Sequence, residues 1–318
     1  LETLELNERP PPQIAFRTRF PALDGIRALA VMMVFAFHYG GGTHGGRIMG
    51  IVNAIRLQGW AGVDIFFVLS GFLITGVLYD TRHDSQFFRR FYARRALRIF
   101  PVYYLVAALL LVLTLIFHYA GQVTHLLFLI YLGNVPIGAI LALLLRGDMP
   151  DRWRNFWRWL FAAAIGALMV GFTLDPAGSG RWMPTFGFTL IALAAAGLIG
   201  WATVSDSVVV RLFTTRPLLL LGRWSYGFYV YHLLFAAGWA ALTALLTKRL
   251  HSAGVASAIV LTVNFIVTVV VAKWSYDLFE VRFLRWKQRF AYDHVDAAPA
   301  IGRTILYKIR NFKTRYQE

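Results

Sequence analysis

The stretch LDGIRALAVMMVFAFHYG, residues 23–40, decides the fold, because it is apolar enough to cross a bilayer and yet carries Asp24, Arg27 and His38. A helix of about 20 apolar residues spans the hydrocarbon core. Ionisable groups inside such a helix are costly and mark functional positions by default. Working outward, further apolar runs lie at 60–79, 99–119, 124–145, 156–174, 184–204, 225–247 and 254–279. The fold class is therefore all-α, a polytopic transmembrane helix bundle with about eight spans. The chain is 58% hydrophobic and only 15% charged, where a soluble domain carries about a quarter charged residues.

Basic residues set the orientation. With the N-terminus inside, the inner segments hold Arg17 and Arg19, the group Arg82, Arg89, Arg90, Arg94, Arg95 and Arg98, then Arg146, Arg152, Arg154, Arg211, Arg216, Arg223 and the tail after Arg282. The outer segments hold Arg47, Arg56, Arg181, Lys248 and Arg249. The asymmetry places both termini in the cytoplasm. Residues 1–20 read as a polar, Pro-rich cytoplasmic segment, 21–281 as one membrane domain, and 282–318 as a basic cytoplasmic tail. The chain opens on Leu1, so its native start is expected upstream. The net charge of +16 follows the segments between apolar runs, which argues for topology and against nucleic acid. Without cysteine there is neither a disulfide nor a thiolate metal site, and no metal is expected.

Within the first helix Arg27 and His38 stand eleven residues apart, about three turns, so they share a face roughly 16 Å apart along the axis. Asp24 lies one turn before Arg27 and can pair with it. Two readings stand side by side: a functional face, or an interfacial ion pair with a hydrogen-bonded helix-end histidine. In the second helix, Asp64 is expected near the same outer end as His38, either orienting its ring as a base or capping the helix start. Ser70 falls mid-membrane, where small residues allow close helix packing. Five arginines in FFRRFYARRALRIFPVYY, among them Arg90, Arg94, Arg95 and Arg98, suit the phosphates of a nucleotide-bearing cosubstrate or of lipid headgroups. Ser225, Tyr229 and His232 fall on one helical face in LGRWSYGFYVYHLL, a pattern common to interhelical hydrogen bonding.

These strings, in this order, together with WSYDLFEVRFLRWKQR, resemble the acyltransferase 3 family of integral membrane O-acyltransferases. Arg27 to His38 matches the family's Arg-x10-His signature, Arg95 to Arg98 its RxxR element, and Glu280 the acidic residue of its final helix. The resemblance implies transfer of an acyl group, often acetyl, from cytoplasmic acyl-CoA (acetyl-CoA) to a hydroxyl of a cell-envelope carbohydrate or glycolipid acceptor. It makes Arg27 and His38 the expected catalytic pair, with His38 as general base or transient acyl carrier, and Asp64 joins them as the expected orienter from its place at the start of the second helix. Arg90, Arg94, Arg95 and Arg98 become the expected acyl-CoA site, and a bacterial cytoplasmic (inner) membrane the expected location. Family members have about ten core helices and a segment like WSLxVExQFY after the fourth; here YLGNVPIGAILALLLRGDMPDRW stands in its place. A catalytically impaired member is therefore one rival, and a secondary transporter using Asp24, Arg27 and Asp64 as an ion path is another.

Overall fold

The computed structural model describes residues 20–39, 53, 56–82, 84, 86–117, 135–145, 152–174, 182–203, 208–234 and 236–290. Most of the N-terminal segment, the tail beyond 290, the first part of the 124–145 run and Arg17, Arg19, Arg47, Arg146 and Arg181 lie outside them. All regular structure in the described residues is helical. In chain order these are α1 (Pro21–Tyr39), α2 (Ala61–Asp80), α3 (Phe87–Phe117), α4 (Val135–Leu144), α5 (Arg152–Leu174), α6 (Phe188–Thr203), α7 (Val208–Phe213), α8 (Arg216–Tyr231), α9 (Ala236–Leu250), α10 (Ala253–Ser275) and α11 (Val281–Trp286). A π-helical turn leads into α6, and another joins α10 to α11. Among the described residues four helical stretches are long and apolar enough to cross a membrane: Pro21–Tyr39, Ala61–Asp80, Asn155–Leu174 and Ala253–Trp286.

Helix α1 is the axis of the bundle. On one side Leu23, Ile26 and Ala30 pack into a cluster with Ile65, Val68, Leu69 and Phe72 of α2, Leu141 of α4 and the alanine-rich α6. On the other, Ala28, Val31 and Phe35 join Val102 and Val106 of α3, Phe228 and Tyr231 of α8 and Ala272 of α10. An apolar helix buried on two sides leaves few positions where a polar side chain reaches open space.

Small residues let the neighbours of α1 come close, as is usual between membrane helices. A Cβ at Gly62 would run into the Ala30 carbonyl, and one at Gly222 into the Asp24 carbonyl. These contacts also fix direction. Gly222 sits at the Asp24 end of α1, whereas the Tyr39 hydroxyl at the far end donates to the His232 carbonyl. Helices α1 and α8 therefore run parallel, and their C-termini meet.

Two expectations from the sequence are corrected. The run 225–247 is not one span: α8 ends at Tyr231, residues 232–234 form a turn, and α9 starts at Ala236. No Pro or Gly stands at the break. It is held instead by side chains inserted into the backbone ladder, with His232 Nδ1 bonded to the Tyr229 carbonyl at 2.5 Å and Tyr39 on the His232 carbonyl. The second correction concerns the arginine-rich segment, which is not a connection between helices. It forms the first turns of α3, whose 31 residues run from Phe87 to Phe117 with Pro101 inside.

Candidate active site

Each end of the Arg27–His38 face has its own chemistry. At the start of α1, Arg27 Nη1 bonds Asp24 Oδ1 at 2.5 Å, with both side chains largely buried. The i,i+3 spacing and the partial positive charge at a helix N-terminus both favour Asp24 there. At the other end His38 is exposed, and its Nδ1 lies 2.9 Å from the Val34 carbonyl one turn back. A carbonyl only accepts, so this bond places the ring proton on Nδ1 and leaves Nε2 with the lone pair a base requires. Arg56 donates to the Phe37 carbonyl at 2.9 Å, closing the C-terminus of α1 with a cation of favourable sign.

Asp64 is 6% exposed in the first turn of α2. Its level follows from neighbouring contacts: Gly59 packs on the Met33 carbonyl and Gly62 on the Ala30 carbonyl, so α2 runs antiparallel to α1. Continuing that register sets Asp64 about level with Ala28, on the order of 15 Å below His38 along the axis. The expected shared end is thus displaced toward the middle of α1, and the ring bond on His38 comes from its own helix.

The residue beside His38 is His232. Their ring centroids are 5.1 Å apart with planes at 68°. His232 is 2% exposed and reaches this place because α8 breaks there. Tyr229, its ring 5.6 Å from His232, also meets Phe66 of α2 at 6.1 Å. Ser225 is buried one turn earlier on the same helix. Sequence periodicity grouped Ser225, Tyr229 and His232 on one face, but gave no sign that this face ends against His38. Ser70 is half-buried in the middle of α2, and Gly138 of α4 packs on the adjacent Val68 carbonyl.

The arginines divide into two sets. Arg90 bonds the buried Asp84 at 2.5 Å, and Arg94 donates to the Phe290 carbonyl at 3.2 Å, so both tie α3 to neighbouring structure. Arg95 stacks over the Phe91 ring, and Arg98 is exposed and within electrostatic reach of Glu280. Glu280 is 7% exposed and its Oε1 has no hydrogen-bond partner; a side chain at Gly227 would stand 3.3 Å from that oxygen. The Tyr226 hydroxyl donates to the Ile99 carbonyl at 3.0 Å, fixing α3 against α8 one residue past Arg98. From Tyr226 to His232 is six residues, a rise of roughly 9 Å. Among the described residues no group of three or more His, Asp or Glu is placed to hold a metal ion.

The chain is 36% identical over 104 residues to the peptidoglycan O-acetyltransferase OatA of Listeria monocytogenes, covering 32% of this chain and 15% of that protein. It is 40% identical over 88 residues to the putative peptidoglycan O-acetyltransferase YrhL of Bacillus subtilis, covering 27% and 12%. To the O-acetyltransferase OatA of Staphylococcus aureus it is 36% identical over 100 residues, covering 30% and 14%. The match thus takes in no more than 15% of the length of these relatives. No solved structure matches. Residues 20–137, which hold Arg27, His38, Asp64 and the arginine-rich start of α3, match the model of the acyltransferase domain, the family that the sequence motifs resemble.

Proposed function

We propose that the chain is a membrane-bound O-acyltransferase that moves an acetyl group from acetyl-CoA to a hydroxyl of a cell-envelope carbohydrate. The observation that carries this reading is the match of residues 20–137 to the acyltransferase domain, over the helices that hold the paired Arg27 and the exposed His38. The relatives named as peptidoglycan O-acetyltransferases make peptidoglycan the first acceptor to test.

In this reading the phosphates of the donor rest on Arg95 and Arg98, since guanidinium groups bind phosphate through paired hydrogen bonds. Arg90 and Arg94, already committed to Asp84 and Phe290, hold the start of α3 in position rather than the donor. The slim pantetheine arm follows the rise along α8 toward His38, past Arg27, whose charge steadies the donor from inside the membrane. His38 Nε2 takes the proton of the acceptor hydroxyl as its oxygen attacks the thioester carbonyl, general-base catalysis that contributes typically 10²–10⁴-fold. Asp64, about level with Arg27 on the neighbouring helix, supplies an acceptor near the start of that path. The termini and the arginine-rich end of α3 face the cytoplasm of a bacterial inner membrane, so donor and acceptor approach from opposite sides.

The test is transfer from labelled acetyl-CoA by membranes holding the chain, followed by mass spectrometry of envelope glycans. Transfer that requires His38 supports the reading. Proton-coupled solute flux without any dependence on acetyl-CoA refutes it in favour of a transporter.

A further inference from the structure

His232 carries chemistry that the reaction above leaves unused. The turn that ends α8 buries its ring, and two backbone bonds hold it in place: Nδ1–H donates to the Tyr229 carbonyl, and the Tyr39 hydroxyl donates to its own carbonyl. Nδ1 is therefore the protonated nitrogen, and Nε2 keeps a lone pair. That Nε2 is buried and has no hydrogen-bond partner. A buried polar atom without a partner costs about 1–3 kcal/mol, and in a native fold it calls for a reason. Four rings lie around the His232 imidazole: Tyr229, Phe228, Tyr39 and, nearest with ring centroids 5.1 Å apart, His38. Of these, His38 alone takes up and gives back a proton at ordinary pH.

His38, though exposed, likewise directs its Nδ1–H to a backbone carbonyl, that of Val34. Each neutral ring thus keeps only the Nε2 lone pair, and both rings stand at helix C-termini, where the carbonyl ends favour a cation. Adding one proton turns two adjacent acceptors into a donor and an acceptor. Adding two would set like charges side by side.

We propose that His232 is a positioning residue for His38, its Nε2 lone pair steadying the protonated His38 ring so that the two imidazoles together hold the single proton released in the transfer. The proposal rests on the reading of His38 as the base. In the step itself, the acceptor oxygen bonds to the thioester carbonyl carbon and the carbon–sulfur bond breaks. The hydroxyl proton passes to the imidazole pair, coenzyme A leaves as thiolate, and that sulfur then takes the proton.

The experiment uses the full chain in membranes with labelled acetyl-CoA and soluble peptidoglycan fragments, and compares H232F, H232Q and H232N. Phe keeps an aromatic ring without the lone pair. Gln carries an amide oxygen near the Nε2 position, while Asn ends near Nδ1. The expected result is a kcat lowered roughly 10- to 100-fold in H232F with the KM for acetyl-CoA unchanged, as for a misplaced catalytic group, and substantial recovery in H232Q. Wild-type turnover in H232F, or H232Q no better than H232F, overturns the proposal. Should H232F fail to fold, as judged by thermal unfolding in detergent, H232Q against H232N decides: Gln the more active supports it, Asn equal or better overturns it. H38A in the same assay keeps the two readings apart. If H38A transfers normally, the base assignment fails, whereas a dead H38A beside a fully active H232F removes only the role of His232.

Discussion

Replacing Gly222 by alanine adds one methyl group at the tightest crossing of the site, and its effect follows from the geometry. The new Cβ would coincide with the Asp24 carbonyl, with backbone on both sides, so no flexible side chain can swing aside. Helices α1 and α8 must move apart. Overpacking of this kind costs about 1–3 kcal/mol. Partly offsetting it, alanine is a better helix former than glycine by about 1 kcal/mol. Gly166 of α5 is the matched control: its Cβ would meet nothing within 4 Å, so Gly166→Ala gains the propensity without the clash. Activity is the more sensitive readout, because His38 rides on α1 and His232 on α8. A shift on the order of 1 Å between catalytic groups can cost 10²-fold. Thermal unfolding in detergent and acetyl transfer, measured on both variants, should show Gly222→Ala less stable and much less active while Gly166→Ala matches or exceeds the wild type. Equal behaviour of the two variants would refute the parallel, carbonyl-deep packing of α1 on α8.

Three further outcomes are expected. Tyr39→Phe removes the donor from the His232 carbonyl at the break; it should cost about 1 kcal/mol in thermal unfolding and lower kcat without changing the KM for acetyl-CoA. Arg98→Ala should abolish the thermal stabilisation that acetyl-CoA confers, whereas Arg90→Ala should keep it. Arg90→Ala instead removes the Arg90 ion pair from the buried Asp84 and should destabilise the chain by about 1.5–3 kcal/mol, read as a lower melting temperature with and without donor.

Where an interaction lies within one helix, the sequence already revealed it. Spacing alone put Asp24 on Arg27, and the ion pair is present. The common face of Arg27 and His38 needs only 3.6 residues per turn. What spacing cannot supply is the partner across helices. His38 and His232 are 194 positions apart, and the turn that joins them stands in an unbroken apolar run, YVYHLLFAAG, with no residue that announces a break. It is made by tertiary hydrogen bonds, above all Tyr39 to the His232 carbonyl, which do not exist until α1 and α8 have packed. Asp64 was misjudged for the opposite reason. Its place near the start of α2 suggested the outer end, but the helix is preceded by residues 56–60, which pack on the last turns of α1 and set Asp64 down toward Ala28. The arginine-rich segment reads as a loop by charge and as a helix by propensity, since arginine, alanine and leucine all favour helix. Propensity prevails because Arg90 and Arg94 find partners in Asp84 and Phe290.

The most direct test of the central claim is acetyl transfer by His38→Ala. Membranes holding the variant at wild-type protein level, supplied with labelled acetyl-CoA and peptidoglycan fragments, should give no acetylated product above that of membranes without the chain. Product formed at the wild-type rate by His38→Ala would contradict the account.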